Sequence, residues 1–210
     1  GKYSPITGME EYIFNNAVGS YLMALCKDNK IPYINVSDGN TIREITLNER
    51  TNRANAYQKQ HPELNCIYVS IHANAGGGTG SKIWVNSKSI PSTIKLAETT
   101  LNALCVSTGQ YIRGVKKGFV TNPRYDFHVN RETSMVSMLV ECGFMDSKAD
   151  CYKLIDETFR YKCAAGIFNG ICTYFNIKKP VETVGNTDYK KMYEKVYDKL
   201  EKIKNIMEEN

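Results

Sequence analysis

Apolar positions recur along this chain with two different periods, and the alternation of those periods predicts its architecture. In EEYIFNNAVGSYLMALCKDN, Phe14, Ala17, Val18, Tyr21, Leu22 and Leu25 fall three and four residues apart, so one helix face is apolar over residues 10–27, and an Asp-Asn pair closes it. IPYINVS is short and apolar and reads as a strand. After the polar DGNT, Thr46 followed by Glu49 is a capping-box pattern that opens a second helix in TLNERTNRANAYQKQHP. CIYVSI, residues 66–71, is rich in β-branched and aromatic side chains and runs into AGGGTG, which predicts a buried strand with His72 at its exit. KIWVNS predicts a third strand. SIPSTIKLAETTLNALCVSTG predicts a third helix, carried by Ile94, Leu96, Ala97, Leu101, Leu104 and Cys105. SMVSMLVECGFMDS is almost continuously apolar up to Glu141 and Gly143, the pattern of a strand buried on both faces. Residues 150–175, with Leu154, Phe159, Cys163, Ile167, Ile171 and Phe175, read as one long helix. Strand and helix in turn predict a three-layer α/β fold, a mostly parallel twisted sheet with helices on both faces, over residues 1–176.

The pattern changes after residue 176. Residues 177–187 have the Pro, Gly and polar content of a linker. In residues 188–210, Tyr189, Tyr193, Val196, Leu200, Ile203 and Met207 alternate in steps of three and four, which predicts a C-terminal amphipathic helix. Such a seam takes a partner, either a second copy in a short coiled coil, making a homodimer, or a groove on the body. Residues 187–210 hold six Lys and six acidic residues, a zero balance that excludes a basic nucleic-acid arm.

Composition narrows the class. With 210 residues and 42% hydrophobic content the chain can bury a full core, and nothing approaches the length of apolar run that spans a membrane, so no membrane insertion is expected. GKYSPITG lacks the apolar stretch of a signal peptide and opens on Gly1 rather than Met, as a processed or trimmed chain would. Seven cysteines, an odd number scattered without a C-x-x-C pair, exclude a disulfide framework and a Cys-rich zinc site; free buried thiols and synthesis in a cytoplasm are expected. No basic stripe is interleaved with aromatics, so nucleic acid is not an expected partner. The net charge of +5 lies mainly in the body, where it favours an anionic cell wall.

Candidate chemistry gathers at strand ends. In open α/β sheets ligands collect at the carboxyl edge, and His72 and Glu141 both lie there if their strands run parallel. Glu141 closes an apolar run, where a carboxylate needs a proton, a cation or a hydrogen-bond donor. Glu10 and Glu11 fall in the first turn of the first helix. The macrodipole explains them by itself, yet that turn also faces the carboxyl edge, so a first-turn Glu, His72 and Glu141 can converge.

These residues carry a family resemblance. EYIFN from Glu11, LNERTNRAN from Leu47, SIHANA from Ser70, RGVK from Arg113 and LVECGFMD from Leu139 resemble, in order and over about residues 8–176, the zinc-dependent N-acetylmuramoyl-L-alanine amidases of the amidase_3 type, a group of phage endolysins and bacterial autolysins. The resemblance implies a Zn2+ hydrolase that cleaves the amide between N-acetylmuramic acid and L-alanine of peptidoglycan, acting on the bacterial cell wall. By matching positions it implies that Glu11 and His72 are metal ligands and that Glu141 is the catalytic carboxylate. The family's usual opening strand, which ends in a His-Gly pair and supplies another zinc ligand, has no counterpart here; only His61, His72 and His128 occur. Truncation or cleavage, a preceding stretch outside this sequence, or substitution by His128 from the polar loop DFHVNRE are the open explanations.

Other features are weaker. Cys142 suggests a cysteine hydrolase, but it alternates with Glu141 on a strand and is not at a helix start. GGGTG lacks the Gly-Lys-Ser/Thr ending of a phosphate loop and reads as a flexible loop at the cleft rim. Arg113, Lys116, Lys117 and Arg131 are candidates to meet stem-peptide carboxylates, or are solvated surface charges. The alternative function is a non-catalytic wall-binding or assembly protein that keeps the fold around an incomplete metal site.

Overall fold

The computed structural model describes residues 2–37, 45–119, 121–122 and 126–178, all within the unit Gly1–Lys178. The expected linker beyond residue 178 and the expected helix over 188–210 lie outside the described residues. In chain order the elements are α1 (Glu11–Asp28), α2 (Leu47–Gln60), β1 (Ile67–Asn74), β2 (Ser81–Val85), α3 (Pro91–Thr108), β3 (Ile112–Lys117), α4 (His128–Glu132), β4 (Val136–Phe144), α5 (Lys148–Leu154) and α6 (Glu157–Tyr174). The strands form one sheet in the order β1-β4-β2-β3. β1 runs parallel to β4 and β2 parallel to β3, while β2 meets β4 antiparallel. The sheet is therefore mostly parallel by pairing, and the carboxyl ends of β1 and β4 share one edge.

Local signals explain most boundaries. Thr46 Oγ1 accepts the Glu49 N–H at 3.2 Å and starts α2. Pro91 opens α3, and Gly109, at φ 69°, ends it in the left-handed conformation that a side chain would disfavour. Asp156 accepts the Phe159 N–H at 2.7 Å, and this cap splits the expected long helix into α5 and α6: residues 150–175 were apolar enough for one helix, but the cap starts a new one. IPYINVS is not a strand. Residues 31–35 have no regular structure, because no strand among the described residues lies beside them to complete a ladder. β3 was not expected; its residues are largely exposed, so it carries no apolar run. DFHVNRE forms the single turn α4 where a loop was expected.

Alternation along the strands separates two layers. Met138, Val140, Cys142, Ile83 and Val85 are almost wholly buried, and Cys142 faces Cys163 of α6 and Cys105 of α3. α3 and α6 touch at backbone distance: a Cβ on Gly170 would stand 2.3 Å from Thr100 Cα, and one on Gly166 2.5 Å from Leu104 Cα. On the opposite face Tyr68 and Leu139 cluster with Ala54 of α2 and Val129 of α4, and Trp84 packs edge-on against Phe127 at 5.6 Å. All seven cysteines are free, six of them buried. No helix among the described residues is long and apolar enough to cross a membrane.

The Gly-rich loop, expected to be flexible, is pinned. Asp146 Oδ2 accepts the N–H groups of Gly76 and Gly77 at 2.7 and 2.9 Å. Asp150, fully buried, accepts from Thr79 Oγ1 at 2.7 Å, Gly80 N at 2.9 Å and Phe144 N at 3.0 Å. It thus ties the start of β2 to the end of β4. Asp150→Ala leaves the buried N–H groups of Gly80 and Phe144, and the Thr79 hydroxyl, without their acceptor and should cost about 3 kcal/mol or more in urea unfolding; a loss of less than about 1 kcal/mol would contradict this role. Gly170→Ala forces α3 and α6 apart and should cost about 1–3 kcal/mol by the same measurement.

Candidate active site

The segment before α1 places its first turn. Ser4, 1% exposed, donates its hydroxyl to Met145 O at 2.6 Å, and Ser4 N–H bonds to Met9 O at 2.8 Å. A bridge between Tyr3 and Glu10 and the bond from Glu11 N to Lys2 O complete the hairpin-like lead-in. This fastens the N-terminus of α1 to the carboxyl end of β4. Glu11, the first residue of the helix, consequently turns its side chain to the end of β1.

There it meets His72. Nδ1 of His72 lies 2.8 Å from Glu11 Oε1, and the Ala73 N–H reaches the same oxygen at 3.4 Å. Ser70 Oγ is 3.0 Å from His72 Nε2. With Glu11 ionised, Nδ1 faces it as the donor and Ser70 Oγ lies against the other ring nitrogen, so the ring is held from both sides. β1 extends beyond the expected strand, so His72 sits within it and not after it. The β1/β4 register sets Glu141 directly beside His72. The three expected residues are therefore brought together.

The two carboxylates shift in opposite directions. Burial pushes the Glu11 carboxyl up, but the hydrogen bond and charge of His72, the Lys2 ammonium 4.0 Å away and the Ala73 amide outweigh it and hold Glu11 below its ordinary value. Burial pushes Glu141 up; Glu11 adds to this, and His72, Lys82 and Lys2 only partly oppose it. Glu141 Oε2 is buried with no hydrogen-bond partner among the described residues. One carboxylate is thus fixed as an anion and the other is ready to take a proton, the division of labour that acid–base chemistry needs.

Among the described residues no group of three or more His, Cys, Asp and Glu is arranged to hold a metal. The convergent donors are two, an imidazole nitrogen and a carboxylate oxygen in contact. That chemistry fits two positions of a zinc site, and 31% exposure of the His72 side chain leaves the outer side open to water or substrate.

The other histidines lie elsewhere. His128 Nε2 is 3.4 Å from Thr51 Oγ1, between α4 and α2, and His61 stacks on Tyr57 and meets Glu63. Neither contacts the Glu11–His72 pair. Cys142 points to the opposite face from Glu141, toward Cys163, which removes the cysteine-hydrolase reading. Arg131 bonds Asp126 O and Glu132, away from the pair. Two residues escaped the sequence reading. Ser70, two before His72, shares its strand face and was findable by period; Lys82 faces Glu141 only through an antiparallel register that no local pattern announces.

A buried, proton-seeking carboxylate beside an anchored carboxylate–imidazole pair, at the carboxyl edge of an α/β sheet, is a layout that can activate water. The family profile described as N-acetylmuramoyl-L-alanine amidase (Amidase_3) matches residues 1–173, and the chain belongs to that family. It is 33% identical over 135 residues to the sporulation-specific N-acetylmuramoyl-L-alanine amidase of Bacillus subtilis, covering 64% of this chain and 48% of the relative. The chain thus spans about half the length of the curated relatives it matches. Among solved structures it resembles an N-acetylmuramoyl-L-alanine amidase from Clostridium difficile 630 (TM-score 0.72, 26% identity, covering 85% of this chain and 91% of that one). It also resembles the catalytic domain of CwlV from Bacillus (Paenibacillus) polymyxa var. colistinus (TM-score 0.70, 25% identity, 85% and 92% covered).

The state of Glu141 has a measurable consequence for stability. A carboxyl whose folded value is raised costs nothing below its ordinary value, near 4.5, and destabilises increasingly as pH rises above it. Glu141→Gln removes that cost. In chelator-treated protein it should raise stability near neutral pH by about 1–3 kcal/mol, with the gain shrinking as pH falls. Equal melting temperatures for both proteins across the pH range would contradict the burial of an unpaired carboxylate.

Proposed function

We propose that the chain is a zinc-dependent peptidoglycan hydrolase that cleaves the amide joining the lactyl group of N-acetylmuramic acid to L-alanine of the stem peptide. The observation that carries this reading is the convergence of Glu11, His72 and Glu141, with opposite carboxylate shifts, in a member of the amidase family. Glu11 and His72 would hold the metal, which when bound lowers the pKa of water toward neutrality and polarises a carbonyl. Glu141 takes the proton from the attacking water and returns it to the leaving amine of alanine. Its burial favours the first half of that cycle, because a carboxyl raised above its ordinary value takes a proton more readily than an exposed one. Ser70 holds the His72 ring so that Nδ1 faces Glu11.

A third protein donor is expected from a His-Gly strand of the kind the family uses. β1 is an edge strand of the sheet, so its outer side has no ladder partner among the described residues and could take such a strand. Lysis of a host wall and remodelling of a cell's own wall use the same cut, and either places the protein on the bacterial cell wall. The alternative of a wall-binding protein without chemistry is not favoured, since the family and the relatives it matches are described as N-acetylmuramoyl-L-alanine amidases.

Incubated with purified sacculi, the zinc-loaded native chain should release stem peptides that carry a new N-terminal alanine, read by amine labelling and mass spectrometry, with no new reducing ends. Glu141→Gln should lower that rate by about 100-fold or more while retaining zinc. His72→Ala and Glu11→Gln should each lose at least about tenfold in zinc affinity by elemental analysis at matched zinc buffer. Absence of new alanine termini with zinc-loaded native chain would refute the proposal.

A further inference from the structure

The sheet face that carries His72 and Glu141 continues past them. The antiparallel register sets Lys82 of β2 opposite Glu141, so His72, Glu141 and Lys82 form one row across three strands. Trp84, two residues on, stands on the same face opposite Leu139. Against β3 the register shifts between Ser81, which pairs with Ile112, and Ile83, which pairs with Val115. Arg113 and Gly114 are thereby set together against Lys82. Lys82, Trp84, Tyr111, Ile112, Arg113 and Lys116 line a groove of about 320 Å³.

Charge in this groove has one sign. Lys82 Nζ stands 5.1 Å from the Trp84 ring centre and 5.5 Å from that of Phe144, and the Arg113 guanidinium 5.0 Å from Phe144. None of Lys82, Arg113 and Lys116 forms an ion pair with a carboxylate among the described residues. Burial pulls the Lys82 ammonium below its ordinary value; Glu141 raises it, and Arg113 and Lys116 lower it further. Three cations line the groove, two of them, Lys82 and Arg113, over aromatic rings, with no carboxylate paired to any of the three among the described residues, and Lys82 stands between the groove and Glu141, where it screens one negative charge from the other.

We propose that this groove is a carboxylate subsite, in which Lys82, Arg113 and Lys116 receive a free carboxylate of the peptide next to the scissile amide and Trp84 lies against its aliphatic part. The protein then selects acidic peptide stems over their amidated forms. The identity of the peptide rests on the amidase reading; the anion site does not. A singly charged carboxylate suits the groove better than a phosphate, whose second charge would stand near Glu141.

Trp84 is the sole tryptophan of the chain, so its fluorescence reads occupancy of the groove directly. The native chain is titrated with L-alanyl-γ-D-glutamyl-L-lysine, with the same peptide amidated at the free glutamyl carboxyl, and with inorganic phosphate. The acid should bind about tenfold more tightly than the amide, the ratio one charge-assisted hydrogen bond supports. Lys82→Gln and Arg113→Gln should abolish that preference, as should Lys116→Gln, whose exposed position makes loss of folding a poor explanation. Lys117→Gln, outside the groove, should keep it. Equal binding of acid and amide, a preference that survives all three groove substitutions, or phosphate binding as tightly as the acid would overturn the subsite. Release of stem peptides from sacculi, followed in parallel, separates the two proposals: release without acid preference removes the subsite alone, and preference without release removes the amidase reading and leaves the subsite.

Discussion

The structure depends on the parallel register between β1 and β4. That register puts Glu141 beside His72 in the most buried strand of the sheet, where a carboxylate is costly unless something opposite in charge faces it. His72 supplies part of the answer from one side and Lys82 part from the other. A slip of one residue in β4 would send Glu141 toward α3 and α6 and bring Cys142 to the site, so the apolar alternation that fixes the register also fixes the chemistry.

The rest of the scaffold can be read as what holds that row still. Ser4 ties the start of α1 to Met145 just past β4, and so the helix delivers Glu11 to the end of β1 and not to solvent. Asp150 joins the ends of β2 and β4 through three hydrogen bonds, which keeps Lys82 opposite Glu141. On the far face the two glycines of α6 let α3 approach to backbone distance, and the thiols of Cys105, Cys142 and Cys163 fill that interior without chemistry. The polar half of the sheet is covered only in part, by α2 and α4, and the uncovered part holds the groove lined by Lys82, Trp84 and Arg113.

Legibility in the sequence followed the range of the interactions. The capping of α2 by Thr46, the apolar spacing of α3 and the apolar run of β4 are local and were read correctly; the Pro91 start and Gly109 end of α3 are equally local signals that the periodicity passed over. The failures share a cause. IPYINVS has strand composition but no partner strand among the described residues, β3 has a partner but little apolar composition, and the break between α5 and α6 turns on one cap at Asp156 that an apolar count passes over. Whether a segment becomes a strand depends on what lies beside it, which no window along the chain contains.

The sequence by itself determined the family, the α/β class and the residues Glu11, His72 and Glu141, because motif spacing and periodicity are properties of neighbours along the chain. The tertiary structure alone decided that Glu11 Oε1 meets His72 Nδ1 across 61 positions, that the two carboxylates shift in opposite directions, and that Lys82 stands opposite Glu141 with Arg113 in the same groove. Those facts come from register, burial and fields acting through space, and burial and distance exist only once the sheet has assembled.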